Sequence, residues 1–134
     1  MNPRAQDPTR TLERLLANGP LTGWPRRPED QALLVRLTAA RFEPGRQYRE
    51  PEVNDVVRDW VATFSAEHGI DHVTMRRALV DSRLLVRDRA GELYQLDEGK
   101  RAELEPLRAV MPAAILKQVR EERAARKREH RDAG

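Results

Sequence analysis

The sequence predicts a mainly α-helical α+β fold, a winged helix-turn-helix with one C-terminal β-hairpin and flanking N- and C-terminal helices. Three observations predict it. Apolar residues recur at helical spacing across Glu50–Ser65. Asp71 is a good N-cap for a further helix, which runs to Ser82. Two short runs that favour strands then flank Arg89-Ala90-Gly91, a loop with glycine where a hairpin needs positive φ. Three helices followed by a hairpin is the chain order of a winged helix.

The elements divide the chain into three parts. Residues 1–23 are predicted to form an N-terminal extension with a short helix, 24–96 the winged-helix-like domain, and 97–134 a charged helical C-terminal extension. The domain should begin with a helix near Pro28, where a proline and two acidic residues favour a first turn. Leu84–Asp88 and Glu92–Leu96 are the only strands that the sequence predicts.

The orientation of the helix after Asp71 decides which side chains reach a partner. Met75 and Leu79 stand one helical turn apart and are predicted to point into the core. The strongest periodic pattern belongs to the preceding helix, and its residues are predicted to be core as well. They are Val53, Val56, Val57, Trp60, Val61 and Phe64.

Composition limits the class of protein. The 134 residues suffice for one domain with a real core, but apolar residues make up only 39% and charged residues 35%, against a usual charged fraction of about 25%. Apolar runs are too short for a transmembrane helix, and the first residues have no secretory h-region. There is no cysteine, which excludes thiolate chemistry and favours a cytoplasmic location.

Positive charge is concentrated at the C-terminus. The net charge is +3, and Ile115–Gly134 holds seven Lys/Arg and four Asp/Glu, so that the rest of the chain is neutral. Of the 25 basic residues three are lysine and 22 arginine, the side chain best suited to bidentate recognition of phosphate or guanine. A general bias toward arginine, as in a GC-rich bacterial genome, is the favoured explanation of this count, so the case for DNA depends on the positions of the arginines.

Three blocks of sequence resemble a bacterial family of uncharacterised domains, whose members occur alone or behind ArsR- or MerR-type DNA-binding modules. Tyr48–Asn54 is similar to the family's Tyr-Thr-Glu-x-Glu-Val-Asn signature, and Asp71–Val80 to its Asp-His-x-Thr-Leu-Arg-Arg-x-Leu-Val. Leu84–Arg87, followed by Gly91 and Tyr94, resembles its terminal hairpin. The resemblance implies a helix-turn-helix-like fold with a regulatory role, and it carries no established activity.

Two departures from the family pattern affect local structure. Arg49 stands where the family has threonine, so the capping box with Glu52 is expected to be lost. The segment between the two helices of the helix-turn-helix, about residues 63–70, is longer than a tight turn and is expected to be looser.

Geometry makes double-stranded DNA the first candidate partner. In a helix-turn-helix the second helix lies in the major groove, and neighbouring groups hold phosphates. With Met75 and Leu79 turned inward, Thr74 and Arg77 face outward with Arg76 at their flank. An alternative for Arg76 and Arg77 is a structural ion pair with Glu50, Glu52 or Asp55. The predicted DNA-binding residues are Thr74, Arg76, Arg77, Arg83, Arg87, Arg89, Arg46 and Arg49.

A protein-interaction or dimerisation adaptor is the competing interpretation. An acidic face at Glu50, Asp55 and Asp59 suits no nucleic acid, and the C-terminal helix could join a second copy or another protein. Arg120–Gly134 is expected to fray or to lie on a partner; its charges either track phosphates or, as the pattern favours, pair with each other at i,i+4. The scattered histidines and the absence of metal or phosphate-loop motifs predict no enzyme, no cofactor and no metal.

Overall fold

The computed structural model describes residues 7–133, which fold as six α-helices and three short strands with two 3₁₀ turns. The predicted α+β class is confirmed. In chain order the elements are α1 (Pro8–Leu15), α2 (Pro28–Ala39), β1 (Tyr48–Arg49), α3 (Glu50–Val61), α4 (His72–Asp81), β2 (Leu85–Arg87), β3 (Leu93–Leu96), α5 (Arg101–Leu104) and α6 (Pro112–Ala133). The 3₁₀ turns, Glu98–Lys100 and Glu105–Ala109, flank α5.

The sheet has a strand that the sequence did not predict. Its order is β1-β3-β2, all antiparallel, with Tyr48 opposite Tyr94 and Arg49 opposite Leu93. The expectation of a lone hairpin was therefore wrong. A two-residue strand is too short to show an alternating pattern, and β1 forms because β3 offers it a free edge. The third strand places the start of α3 beside the hairpin.

One hydrophobic core joins the helices and the sheet. Met75 and Leu79 of α4 are both fully buried, so the predicted orientation of this helix is confirmed. The α3 stripe is buried as predicted except for Val56, which packs against the core from a half-buried position. Because α3 and α4 both turn their apolar faces inward, their polar faces lie at the surface.

The helix α3 ends four residues earlier than predicted, at Val61. After it, Leu21 pairs with Ser65 in a parallel bridge: the Leu21 amide donates to the Phe64 carbonyl at 2.9 Å and the Ala66 amide to the Leu21 carbonyl at 2.8 Å. These bonds use backbone groups that a longer helix would have needed. The N-terminal linker thus ends α3.

Residues 62–71, which join α3 to α4, are longer than a tight turn, as predicted, but they are not loose. The Ser65 hydroxyl accepts the Ile70 amide at 2.8 Å. A Cβ on Gly69 would lie 2.6 Å from the Leu21 carbonyl oxygen, closer than real Cβ contacts come. Glycine is therefore required where this joint crosses the linker.

The two extensions are packed on the domain and on each other. Arg41 donates to the Leu107 carbonyl at 3.0 Å, and Arg108 donates to the Phe42 carbonyl at 2.9 Å, which ties the segment before α6 to the end of α2. On the other side, Arg14 of α1 holds the buried Asp30 carboxylate at 2.6 Å. Met111, the residue before the start of α6 at Pro112, is 48% exposed.

The C-terminal helix α6 continues to Ala133. Ile115 and Leu116 are buried, and Arg123 donates to the Asn18 side chain at 3.1 Å. From Arg120 to Ala133 the chain stays helical although it has almost no packing. The favoured i,i+4 pairing of its charges was wrong: among residues 7–133, no ion pair involves a side chain of α6.

Candidate nucleic-acid interface

The first turn of α4 is held by its cap. The Asp71 carboxylate accepts the Thr74 amide at 3.2 Å and the Thr74 hydroxyl at 3.1 Å. Burial raises the pKa of Asp71, but the hydrogen bonds from Thr74 and Val73 and the nearby His72 together lower it more, so that the net pKa lies below its usual value. Thr74 is exposed, as predicted, although its hydroxyl hydrogen is used by the cap.

Arg76 does not belong to an exposed interface. Its Nη1 donates to Asn54 Oδ1 at 2.6 Å and lies 3.1 Å from Glu50 Oε1. The Arg76 side chain is only 17% exposed. The alternative of an ion pair with Glu50 thus describes Arg76, and its prediction as a DNA contact is corrected: it ties α4 to α3.

Arg77, the next residue, has the opposite surroundings. It is exposed on the outer face of α4, and no residue of the described chain forms an ion pair with it. Asp81, one turn further along this face, is also exposed. The outer face of α4 therefore presents one cation near its middle and one anion at its end.

Arg83 ends α4 in a conformation that usually belongs to glycine. Its φ is +62°, and its amide donates to the Val80 carbonyl while the Leu84 amide donates to the Leu79 carbonyl, both at 3.0 Å. These two bonds make a Schellman motif with arginine at the left-handed position. A residue with a Cβ costs about 1–2 kcal/mol there. The exposed guanidinium of Arg83 follows α4 directly at the start of the hairpin.

The hairpin carries two further exposed arginines. Arg87 lies opposite Tyr94, with its guanidinium carbon 6.0 Å from the centre of the ring. Arg89 lies in the loop, where the Asp88 carboxylate accepts the Glu92 amide at 2.8 Å and the Leu93 amide at 3.2 Å. Asp88 is thus occupied by the backbone of the turn. We call Arg77, Arg83, Arg87 and Arg89 the arginine surface.

The two remaining predicted arginines precede α3: Arg46 lies before β1, and Arg49 is the N-cap residue of α3. Arg46 pairs with Glu52 at 3.2 Å and lies over the Tyr48 ring at 4.6 Å, so its charge is already partly compensated. Arg49 is exposed, and its amide donates to Glu52 Oε1 at 3.1 Å. The predicted loss of the capping box is therefore half right. Arginine has no side-chain acceptor for the helix amides, but the glutamate half remains.

The chemistry available at this surface is ionic binding. Asp71–Arg89 holds five arginines and three aspartates, of which Asp71 and Asp88 already accept backbone amides. Across residues 7–133 no three His, Cys, Asp or Glu side chains come together as metal ligands. His72 Nε2 contacts Arg58 at 3.3 Å and its Nδ1 lies 3.9 Å from Asp71, so its contacts belong to the start of α4.

Sequence reasoning missed two features of the surface. The β1 pairing, which brings Arg49 opposite Leu93, left no pattern in the sequence. The left-handed Arg83 did leave one, since Leu79 and Leu84 have the spacing of the apolar pair that accompanies a Schellman motif, and both are buried.

Comparison with known proteins identifies the family and nothing narrower. No curated protein and no solved structure is significantly similar to the chain. Within residues 7–133, none of the helices is at once long and apolar enough to cross a membrane. One family model, described as "Uncharacterized protein conserved in bacteria (DUF2087)", matches residues 20–96, more than half of the chain. The chain therefore belongs to this family of conserved bacterial proteins.

Proposed function

We propose that the chain is a winged-helix DNA-binding protein that contacts duplex DNA through the arginine surface. The order α2-β1-α3-α4-β2-β3 supports the winged-helix interpretation, since three helices precede a hairpin that packs beside the third. In a helix-turn-helix the second helix, here α4, enters the major groove. A regulatory role accords with the resemblance to domains that follow ArsR- or MerR-type modules, and it would place the protein in the cytoplasm.

The observation that carries the proposal is that the four arginines are exposed and form no ion pair within the described chain. Arg46 and Arg76, by contrast, do form ion pairs. An unpaired guanidinium needs no intramolecular bond to break before it meets a phosphate or a guanine. The four occupy α4, the turn after it and the hairpin, the elements that contact DNA in this architecture.

The four side chains have different roles in the proposal. Arg77, which is exposed on the outer face of α4, would read a base edge, where a bidentate contact to guanine discriminates by about 1–3 kcal/mol. Arg87 and Arg89 on the hairpin would hold phosphates, which fix register without reading sequence.

Arg83 supports the proposal in a second way. Its left-handed conformation is strained, and such strain persists where the surrounding structure holds it, often at functional positions. Glycine would satisfy the same Schellman bonds without strain, so the chain retains a cation here at the expense of stability.

The experiment is a fluorescence-anisotropy titration of a labelled random-sequence duplex at 50 and 200 mM salt. The two phosphate contacts of Arg87 and Arg89 alone lower affinity by on the order of 10-fold over this range, because bound arginines release counterions. Absence of binding at 50 mM, or a Kd that does not change with salt, would contradict the proposal.

A protein-interaction adaptor is the second candidate, and two surfaces favour it. Asp55 and Asp59 are exposed on α3 and would repel phosphates. Val86 is 48% exposed on β2, a strand at the edge of the sheet, where another chain could pair. Such an interface would depend much less on salt, so the same titration separates the two candidates.

A further inference from the structure

The C-terminal helix α6 carries the whole net charge of the protein, and it lies outside the family segment. Residues 112–134 hold seven Lys/Arg and four Asp/Glu, which leaves 18 of each sign in the rest of the chain. The family match ends at residue 96. The charge is therefore a property of this extension and not of the conserved domain.

The charges on α6 are sorted by side. At 100° per residue, six of the seven cations fall within an arc of about 140° and the four acids within another of about 100°. The acids are Glu121, Glu122, Glu129 and Asp132. We call the six cations the basic stripe: Lys117, Arg120, Arg123, Lys127, Arg128 and Arg131. All six are exposed, and none takes part in an ion pair within residues 7–133.

The helix that carries the basic stripe is anchored to the rest of the protein. Ile115 and Leu116 are buried in the core, and Arg123 donates to Asn18 beside α1. A helix that continues from an anchored turn does not bear the cost of nucleation, which otherwise makes short helices marginal. Arg120, Lys127 and Arg131 then lie along one line over about 16 Å.

Three kinds of partner could bind the basic stripe: a second copy of the chain, a membrane surface or a nucleic-acid duplex. They differ in the binding free energy that the stripe can provide. Two copies joined through their charged faces would gain about 0–1 kcal/mol for each exposed ion pair, with no apolar seam beyond Val119 to add to it. A membrane surface would need an apolar face to insert, which this part of α6 does not have. A duplex presents one charge per about 1.7 Å of axis and releases counterions when cations bind it.

We infer that the basic stripe of α6 is a second binding surface for the phosphate backbone of duplex DNA, additional to the arginine surface. The inference rests on the proposed function, which names the same ligand. It assigns the stripe to sequence-independent contacts, because contacts to phosphates carry no direct sequence information.

The test compares two full-length variants with the same charge change. The stripe variant is Arg120→Gln, Lys127→Gln and Arg131→Gln. The control is Arg26→Gln, Arg27→Gln and Arg101→Gln, three exposed arginines that form no ion pair among the described residues. Affinity for a random-sequence duplex is measured over a range of salt, and sedimentation gives the oligomeric state of each protein.

The stripe variant should show a shallower dependence of log Kd on log salt, by about 0.9 for each lost phosphate contact and so by up to about 2.7. The control should keep the wild-type slope. Equal slopes for the two variants would overturn the inference and leave the proposed function standing. Failure of the wild type to bind duplex would overturn both. A stripe variant that binds duplex normally but loses a wild-type dimer would assign the stripe to a second copy.

Discussion

Arg76 Nη1 lies 3.1 Å from Glu50 Oε1, which joins the middle of α4 to the first turn of α3. Its neighbour Arg77 points away from the domain and is exposed. One residue along a helix rotates the side chain by about 100°. The two adjacent arginines therefore differ in their surroundings: Arg76 joins two helices of the fold, and Arg77 lies at the surface.

Replacing each of the two arginines with alanine should separate stability from binding. Arg76→Ala leaves the Asn54 and Glu50 acceptors without their partner and should lower the free energy of unfolding by about 1–3 kcal/mol. Arg77→Ala should change it by less than about 0.5 kcal/mol and weaken duplex binding. Urea denaturation and anisotropy titration measure the two quantities. An equal loss of stability in both variants would show that Arg77 is structural.

Substitution of Arg83 should move stability and affinity in opposite directions. Arg83→Gly relieves a left-handed conformation that costs about 1–2 kcal/mol, less the entropy cost of glycine of about 0.5–1 kcal/mol. The expected net gain in the free energy of unfolding is about 0.5–1 kcal/mol, with weaker duplex binding.

Arg83→Ala is the matched control, because it loses the charge but keeps the strained backbone. It should bind duplex as weakly as Arg83→Gly without the gain in stability. Unchanged affinity in both variants would remove Arg83 from the arginine surface.

The fold was largely predictable where local patterns are strong. The helical spacing of Val53, Val57 and Trp60 predicted the start of α3, the cap at Asp71 predicted the start of α4, and Gly91 predicted the position of the hairpin. The features that were predicted wrongly depend on residues that are distant in the sequence. The end of α3 is fixed by Leu21, and β1 exists because β3 lies beside it. No window of local sequence contains these contacts.

The candidate site was predictable only in part, for the same reason. Periodicity showed that Met75 and Leu79 face inward, which oriented α4. It could not decide whether Arg76, at the flank, would reach Asn54 or solvent, because that depends on how α3 and α4 pack.

Acidification should weaken the cap of α4. The pKa of Asp71 is lowered in the fold, so the stability it contributes is fully present above the unfolded carboxyl pKa of about 3.9. This contribution is lost as the pH falls through the lower folded pKa. Asp71→Asn keeps a good N-cap but does not titrate. The stability of the wild type relative to Asp71→Asn should therefore be constant at pH 5–6 and decrease below about pH 4.

Urea denaturation of both proteins from pH 3 to pH 6 provides the measurement. The other carboxylates titrate equally in the two proteins and cancel in the difference. A difference that stays constant over the whole range would show that the Asp71 carboxylate does not stabilise α4.

Removal of residues 120–134 should leave the domain folded. The removed residues are nearly all exposed, and their two described side-chain hydrogen bonds to the rest of the chain, Arg123 to Asn18 and Gln118 to Glu122, are also exposed. Ile115 and Leu116, which anchor α6, remain. Circular dichroism should show a loss of helix equal to the deleted residues, with a cooperative melting transition retained. A larger loss of helix, or the absence of a cooperative transition, would show that residues 120–134 stabilise the core.

The most direct test of the account removes three cations of the arginine surface together. Arg77→Gln, Arg87→Gln and Arg89→Gln in one chain is compared with the control Arg26→Gln, Arg27→Gln and Arg101→Gln, which has the same net charge. Affinity for duplex DNA at 50 mM salt should fall by at least on the order of 100-fold in the first variant, with melting temperature unchanged, and only slightly in the control. Equal affinity in the two variants would contradict the assignment of α4 and the hairpin to DNA.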